Sequence, residues 1–195
     1  MLFIINPIAG GDRAKNIHPL IEEIMENTNI TYKIVYTKGH NDATRIAYDA
    51  IKKGYKTIVA VGGDGTINEV AKGIIKAGKG TLGIIPGGTG NDLVRSLNIP
   101  IDPKEALQVI LTGKTKKIDV GEANGKVFLN VASVGFDSEI AKNTEKIKKH
   151  IKNKFAYTVG LLKTLITYKN KKVEIILDNN VKINTNLLLL AVANG

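Results

Sequence analysis

The sequence predicts an α/β fold, in which a parallel sheet with flanking helices is followed by the start of an antiparallel β-rich second domain. Over the first hundred residues, short β-branched runs alternate with stretches whose apolar residues recur at helical spacing. A strand–loop–helix pattern repeated four times favours a parallel sheet covered by helices. Beyond Pro100, strand patterns separated by hairpin signals become frequent. We expect the domains to span residues 1–114 and 115–195.

The first domain is expected to contain four strands, each followed by Gly, Pro or Asn residues that end the apolar run. These strands are predicted at residues 2–5, 32–36, 57–61 and 81–85. Helices are predicted between them at residues 18–25, 42–53 and 67–76. Ligands of parallel sheets bind beyond the carboxyl ends of the strands. We therefore expect functional residues in the loops that follow these strands.

The second part begins after a short helix that is predicted from Asp102 to about Leu111. Strands are predicted at residues 116–120 and 126–131, joined by a turn at 123–125. A lysine-rich helical stretch is predicted from Ser138 to about Lys169. Two further strands, at 173–177 and 181–190, flank a hairpin signal at residues 178–180.

The composition limits the classes of partner and metal. A net charge of +10 predicts attraction to nucleic acid, to an anionic membrane surface or to nucleotide phosphates. Six tyrosines, four phenylalanines and no tryptophan offer little for base stacking, so nucleic acid is not expected. The absence of cysteine excludes disulfides, thiolate zinc sites and cysteine nucleophiles. The three histidines are scattered, so any metal is expected to be a hard ion with oxygen ligands.

No membrane span and no secretory leader are expected. The longest apolar run, residues 187–193, is far shorter than the roughly 20 residues that a transmembrane helix needs. The amino-terminal residues lack a basic leader and reach Pro7 after only a few apolar residues. We expect a cytoplasmic protein, with peripheral contact at the inner membrane face as a further alternative.

Three glycine-rich loops follow three of the four predicted strands, at residues 6–11, 62–66 and 86–92. Glycine allows positive φ angles and a close approach of the backbone, so that consecutive N–H groups can converge on phosphate oxygens. Where a helix begins at once, as expected at Thr66 and Thr89, its unpaired N–H groups add to that attraction. A single loop of this kind also fits an ordinary strand-to-helix turn. Three at one edge of a sheet predict a phosphate site.

Two carboxylates in these loops are candidates for a magnesium site. Asp64 stands among three glycines, where turning the chain requires only backbone. Its carboxylate is suited to holding a magnesium ion through water molecules, next to the phosphates of a nucleotide. Asp92 is a second candidate. The alternative explanation is that its negative charge simply complements the positive end of the dipole of the helix that begins there. Neither a P-loop signature nor a Gly-x-Gly-x-x-Gly after the first strand is present, so the predicted phosphate cradle is of another kind.

Residues 62–69 resemble the nucleotide-binding signature of the diacylglycerol kinase superfamily, which includes sphingosine kinases and, more distantly, NAD kinases. Residues 85–95 resemble the Pro-x-Gly-Thr-x-Asn-Asp-Phe-x-Arg motif of bacterial diacylglycerol kinases and their lipid-kinase relatives. Residues 6–10 match the Asn-Pro-x-x-Gly loop of these kinases, and residues 130–137 resemble the start of their second domain. The resemblance implies the amino-terminal α/β domain that NAD kinases and diacylglycerol kinases share.

The resemblance further implies an ATP-dependent lipid kinase that transfers the γ-phosphate to the hydroxyl of diacylglycerol or a related lipid. Asp64 and Asp92 would then organise Mg2+ through water. The general base is assigned to no residue, and the resemblance implies that it lies beyond Gly195. The residues implied in ATP contacts are Asn6, Pro7, Ile8, Ala9, Gly10, Thr37, Gly63, Asp64, Gly65, Thr66, Ile67, Asn68, Glu69 and Thr89.

Several alternatives stay open at this point. Without a base, the chain also fits a non-catalytic nucleotide-binding or regulatory fragment, and an NAD kinase is a further alternative that the third loop disfavours. The lysines between Lys142 and Lys154 alternate with Ile140, Ile147, Ile151 and Phe155 at near-helical spacing. They predict either contact with anionic lipid headgroups or a solvated helix face. The acceptor lipid and the oligomeric state are not predicted.

Overall fold

The computed structural model describes residues 1–11, 13–148 and 155–194. They form two compact units, Met1–Asn130 and Val131–Asn194. Compact units need not coincide with evolutionary domains, so the domain limits of 1–114 and 115–195 stay a prediction.

A four-stranded parallel sheet forms the centre of the first unit. Near the ends of the strands, Ile5 pairs with Tyr36 on one neighbouring strand and with Val61 on the other, and Gly62 pairs with Pro86. The carboxyl ends of all four strands therefore lie at one edge, which confirms the predicted parallel sheet. The strand order is β2-β1-β3-β4, with bounds β1 (Leu2–Ile5), β2 (Lys33–Tyr36), β3 (Thr57–Gly62) and β4 (Thr81–Pro86).

Helices cover both faces of this sheet. Side chains alternate between the faces along each strand, so Leu2 and Ile4 pack in one core cluster and Phe3 and Ile5 in another. The first cluster takes its helical residues from α3, α4 and α5, and the second takes them from α1, α2 and α6. The bounds are α1 (Arg13–Asn16), α2 (His18–Glu26), α3 (Asp42–Lys52), α4 (Asp64–Ala77), α5 (Asp92–Ser96) and α6 (Pro103–Leu111).

A short hairpin, β5 (Gly121–Ala123) and β6 (Lys126–Phe128), replaces the strands predicted at 116–120 and 126–131. Its turn consists of Asn124 and Gly125, both at positive φ, of 51° and 71°. A two-residue turn of this kind sets the pairing of the strands on either side. Ala123 consequently pairs with Lys126, and residues 116–120 contain no strand. The prediction for 116–120 was therefore wrong.

The second unit consists of two antiparallel strand pairs and two helices. β7 (Val131–Gly135) pairs with β10 (Leu189–Ala193), and β8 (Lys171–Leu177) pairs with β9 (Val181–Leu187). This antiparallel arrangement confirms the prediction for the second part of the chain. The strand predicted at 181–190 is instead divided at Leu188, because the Leu188 carbonyl accepts hydrogen bonds from the Phe136 N–H and the Tyr168 hydroxyl.

The predicted helical stretch from 138 to 169 contains α7 (Phe136–Lys148) and α8 (Phe155–Thr167). Within it, Lys149, Ile151, Lys152 and Lys154 of the predicted lysine-rich segment lie outside the described residues. Lys142 forms an exposed ion pair with Glu139 at 3.6 Å. None of the helices in the described ranges combines the length and the apolar composition that crossing a bilayer requires.

Candidate functional site

The loops at the carboxyl edge of the parallel sheet surround a cavity of about 510 Å³. It is lined by residues that follow each of the strands β1, β2, β3 and β4. Most of the residues predicted to contact a nucleotide meet here. They are Asn6, Pro7, Ile8, Ala9, Gly10, Thr37, Gly63, Gly65, Thr66, Glu69 and Thr89.

Five further residues line the cavity and were not among the implied nucleotide contacts: Lys38, Gly39, His40, Ala43 and Gly88, of which Gly88 belongs to the predicted third loop. All but Gly88 lie in the loop after β2 or in the first turn of α3. No motif marks this segment, and the only signal was its position after a strand of the same parallel sheet. Lys38 and His40 bring basic side chains to the lining.

The glycines after β3 and β4 pack against each other. A Cβ on Gly63 would stand 3.1 Å from the Cα of Gly88, and a Cβ on Gly88 would overlap the Gly63 backbone. Gly62 is similarly restricted, because a Cβ there would stand 2.7 Å from Thr66 Oγ1. These glycines therefore permit close contact between the second and third loops, in addition to leaving their backbone open to a ligand.

Asn6 connects the first loop to the helix that follows the second. Its side-chain Nδ2 donates to Thr66 Oγ1 at 3.0 Å. Its Oδ1 accepts the Ile8 N–H at 3.3 Å, and its backbone N–H donates to the Val61 carbonyl at 3.1 Å. The side chain of Asn6 thus fixes the shape of the first loop against α4.

The amino-terminal turn of α4 faces the cavity with Gly65 and Thr66. The helix begins at Asp64 and runs for 14 residues. The first N–H groups of a helix have no intrahelical partner, and together with the helix dipole they attract anions. This turn therefore supplies positive partial charge at the wall of the cavity.

Glu69 holds the loop after β2 against α4. Its Oε1 accepts the Asn41 N–H at 3.0 Å and lies 3.2 Å from His40 Nδ1. Its backbone carbonyl accepts the Thr44 hydroxyl at 2.9 Å. Glu69 therefore positions the segment that brings Lys38 and His40 to the cavity.

Asp42 also stabilises this loop, through hydrogen bonds to Lys38 and Arg45. Its Oδ2 accepts the Lys38 N–H at 2.9 Å, and its Oδ1 accepts from Arg45 Nη2 at 2.6 Å. The Lys38 N–H, followed by the Arg45 hydrogen bond, holds the pKa of Asp42 below its usual value of 3.8, in spite of partial desolvation. The carboxylate is therefore ionised at neutral pH and stabilises the turn into α3.

Asp64 and Asp92 do not line the cavity, but their carboxylates approach one point beside Gly90. A Cβ built on Gly90 would stand 2.9 Å from Asp64 Oδ2 and 3.6 Å from Asp92 Oδ2. Asp64 Oδ1 accepts the Leu93 N–H at 3.3 Å, and Asp92 Oδ1 lies 3.4 Å from Arg95 Nη1. Neighbouring carboxylates fit magnesium, which binds through one or two of them together with water and substrate phosphates. Among the described residues, no group of three or more metal-ligating side chains occurs.

The third loop differs from its prediction in where its helix begins. Gly88 and Asn91 bond each other twice, Gly88 N–H to Asn91 Oδ1 and Asn91 Nδ2 to the Gly88 carbonyl, both at 3.1 Å. Asn91 has a left-handed backbone with φ of 56°. This closed turn delays the helix, so α5 begins at Asp92 and not directly at Thr89.

Two other residues implied in nucleotide contacts also lie away from the cavity. The side chain of Ile67 is fully buried in the core, and its N–H bonds to the Gly63 carbonyl at 3.0 Å. Asn68 Oδ1 is buried and has no hydrogen-bond partner among the described residues.

Comparison with known proteins gives relatives across the whole chain. Residues 1–123 match the family described as the diacylglycerol kinase catalytic domain. A diacylglycerol kinase from Staphylococcus haemolyticus is 36% identical over 188 residues, which make up 96% of this chain and 57% of that protein. A Pseudomonas aeruginosa protein named "Probable lipid kinase YegS-like" is 44% identical over 117 residues, covering 60% of this chain and 38% of its own length. The chain thus spans little more than half the length of the first of these relatives.

Solved structures show the same fold. The crystal structure of a diacylglycerol kinase from Bacillus anthracis str. Sterne superposes with a TM-score of 0.74 at 32% sequence identity. The match covers 100% of this chain and 63% of that protein.

Proposed function

This chain belongs to the diacylglycerol kinase family, and we propose that it carries the nucleotide-binding part of an ATP-dependent lipid kinase. The observation that carries this proposal is the cavity of about 510 Å³ that the three glycine-rich loops share with the loop after β2. Backbone N–H groups of the loops and of the first turn of α4 are suited to binding phosphate oxygens. Asn6 and Thr66 keep the loops in the shape that this requires.

Phosphoryl transfer requires an aligned γ-phosphate, neutralisation of its charge and a base for the acceptor hydroxyl. In this proposal, the loops align the phosphates, and Lys38 contributes positive charge at the cavity. Asp64 and Asp92 would hold a magnesium ion through water, and the ion would supply further positive charge. The base is assigned to no residue of the chain. Nucleotide binding is consequently the first activity to test.

The proposed acceptor is the hydroxyl of diacylglycerol or a related lipid. The names of the Staphylococcus haemolyticus and Pseudomonas aeruginosa relatives, a diacylglycerol kinase and a lipid kinase, support this substrate class. We place the protein in the cytoplasm, at the inner face of the membrane, because ATP and a lipid acceptor meet there.

A non-catalytic nucleotide-binding protein is the second candidate, because the cavity by itself accounts for nucleotide binding and not for phosphate transfer. An NAD kinase is disfavoured, because residues 85–95 carry the lipid-kinase form of the third loop and the relatives named above are lipid kinases.

Calorimetry with Mg2+ and ATP tests the binding step, and saturable association with folded protein is the expected result. A folded protein that gives no heat and no association would contradict the proposal. Phosphate transfer from radiolabelled ATP to diacylglycerol, sphingosine and NAD then separates the candidates. Transfer to diacylglycerol or sphingosine supports the kinase, and transfer to NAD supports the NAD kinase. Binding without any transfer is expected both from the nucleotide-binding part of a kinase and from the regulator.

A further inference from the structure

The loop that follows β2, residues 37–41, brings unused hydrogen-bond donors to the cavity. Lys38, Gly39 and His40 of this loop all line it, and all three are exposed. Within the described part of the chain, the N–H groups of Gly39 and His40 have no hydrogen-bond partner. Consecutive backbone N–H groups of this kind bind the oxygen atoms of anionic ligands.

Hydrogen bonds hold the loop on either side of these two N–H groups. Asp42 Oδ2 accepts the Lys38 N–H at 2.9 Å. Glu69 Oε1 accepts the Asn41 N–H at 3.0 Å. The Asp42 N–H also donates to the Gly39 carbonyl, at 3.3 Å. The outer N–H groups of the loop are therefore occupied, and the two inner ones remain for a ligand.

Asp42 is fixed in turn by Arg45, which lies one turn further along α3. The second carboxylate oxygen of Asp42, Oδ1, accepts from Arg45 Nη2 at 2.6 Å. The Arg45 N–H donates to the Asn41 carbonyl at 3.3 Å, so Arg45 contacts the loop as well. With both of its oxygens bonded, the Asp42 carboxylate is held in one orientation, in which Oδ2 faces the Lys38 N–H.

Asp42 does not line the cavity itself, and it acts on a nucleotide by two routes of opposite sign. Its negative charge repels an anionic ligand, by an amount that falls with distance and with screening. Its hydrogen bond to the Lys38 N–H favours the ligand, because donors that are already in place need not be ordered on binding. Arg45 offsets the charge and leaves this hydrogen bond intact. We therefore expect the hydrogen bond to dominate.

We propose that Asp42 is a positioning residue of the nucleotide site, which fixes the loop after β2 so that Lys38, Gly39 and His40 donate to the bound nucleotide. Asp42 thereby has a role beyond stabilising the turn into α3. It acts through the Lys38 N–H and makes no contact with the nucleotide. This proposal rests on the proposed function, because the ligand that it concerns is the nucleotide of the same cavity.

Two double variants of equal charge isolate the hydrogen bond. Asp42→Ala/Arg45→Met and Asp42→Asn/Arg45→Met each remove one negative and one positive charge, so the net charge of +10 is unchanged. Of the two, the asparagine variant alone retains an oxygen that can accept the Lys38 N–H. In calorimetry with Mg2+ and ATP, we expect the alanine variant to bind ATP about fivefold or more weakly than the native chain. The asparagine variant should restore the affinity to within about twofold.

Asp49→Asn is the inert control, because the Asp49 carboxylate lies 3.6 Å from Arg45 Nη1 on the exposed surface. It should bind ATP as the native chain does. Amide signals in the magnetic resonance spectrum of isotopically labelled protein give a second measurement, which needs no variant. Saturating ATP should shift the signals of Gly39 and His40 in the native chain.

Equal ATP affinity of the two folded double variants would overturn the proposal. So would Gly39 and His40 signals that stay unchanged when ATP saturates the native chain, a result that does not depend on whether the alanine variant folds. Either failure leaves the proposed function intact, because ATP still binds. A folded native chain that binds no ATP would instead refute the proposed function and this assignment with it.

Discussion

Gly10 lies directly against the carbonyl oxygen of Gly87, so that a Cβ at residue 10 would overlap that oxygen. The contact joins the loop after β1 to the loop after β4. Gly10 also has a φ of 62°, a backbone conformation that other residues rarely adopt. Two separate requirements for glycine, one steric and one conformational, therefore coincide at this position.

Gly10→Ala should lower the thermal stability and abolish ATP binding. The added methyl group must displace the Gly87 carbonyl, at a cost of about 1–3 kcal/mol for overpacking. Gly11→Ala is the matched control, because Gly11 has a φ of 67° but no atom within 4 Å of its Cβ position. It carries the backbone strain alone and should retain binding. If both variants lose ATP affinity equally in calorimetry, the contact with Gly87 is not the cause.

Thr66→Val should reduce ATP affinity several-fold. Valine has a similar shape but cannot accept the hydrogen bond from Asn6 Nδ2, which is 3.0 Å long in the native protein. The loss of such a bond, with its donor left unpaired, costs about 1–3 kcal/mol. Thr66→Ser retains the hydroxyl and should bind ATP nearly as well as the native protein. Equal affinities of the valine and serine variants in calorimetry would show that this hydrogen bond does not shape the site.

Lys38→Ala should weaken the binding of ATP more than that of AMP. Lys38 is one of the basic residues that line the cavity, and its contribution is expected to grow with the charge of the phosphate chain. A decrease of about tenfold for ATP would correspond to one charge-assisted contact. Lys79→Ala, at an exposed position away from the lining, is the control. An equal decrease for ATP and AMP would place Lys38 near the base or ribose instead.

Asp64→Asn should remove the magnesium dependence of ATP binding. The amide can still accept the Leu93 N–H, which Asp64 Oδ1 accepts at 3.3 Å, so the fold should be preserved. What is lost is the negative charge that, in the proposed function, attracts the magnesium ion, and with it the expected affinity for a hard cation. Titrations with ATP should be made with and without Mg2+. A variant whose affinity still rises with Mg2+ as in the native protein would remove Asp64 from the metal site.

The contribution of Asp42 to stability should depend on pH in the acid range. Its pKa is lowered in the folded protein by the Lys38 N–H and by Arg45, so its stabilisation is fully present above about pH 4, near the unfolded pKa. It is lost as the pH falls through the lowered pKa. Asp42→Asn should therefore lower the free energy of unfolding at neutral pH, by less than about 1 kcal/mol because solvent screens an exposed pair. The difference in this free energy between the variant and the native protein should narrow as the pH falls below 4.

Urea unfolding across pH measures this difference. Asp49→Asn is the control on the same helix, because its carboxylate lies 3.6 Å from Arg45 Nη1 on the exposed surface, where such pairs contribute little. If the free energies of unfolding of the native protein and of Asp42→Asn differ by the same amount down to pH 2, the lowered pKa of Asp42 is contradicted.

The spacing of the apolar residues was sufficient to predict the parallel sheet, because a buried strand followed by an amphipathic helix is a strong local signal. The strand predicted at 57–61 ends at Gly62, and the helix predicted at 42–53 ends at Lys52. The glycine-rich loops were also visible, since glycines with Asn and Thr after a strand have a local physical meaning.

The residues that were missed depend on contacts distant in sequence. Lys38 and His40 reach the cavity because Glu69, about thirty residues further along, holds their loop through Asn41. No local pattern contains that information. In the region of residues 116–131, the sequence predicts strands at 116–120 and 126–131, but the short turn at Asn124 and Gly125 sets the pairing.

The order of the strands has a consequence for biosynthesis. All four strands of the order β2-β1-β3-β4, and every residue that lines the cavity, lie in the first ninety residues of the chain, the lining between Asn6 and Thr89. A ribosome therefore releases all walls of the nucleotide cavity before it translates the lysine-rich helices. Since domains fold as units during synthesis, amino-terminal first, the proposed nucleotide site can form while the second unit is still being made.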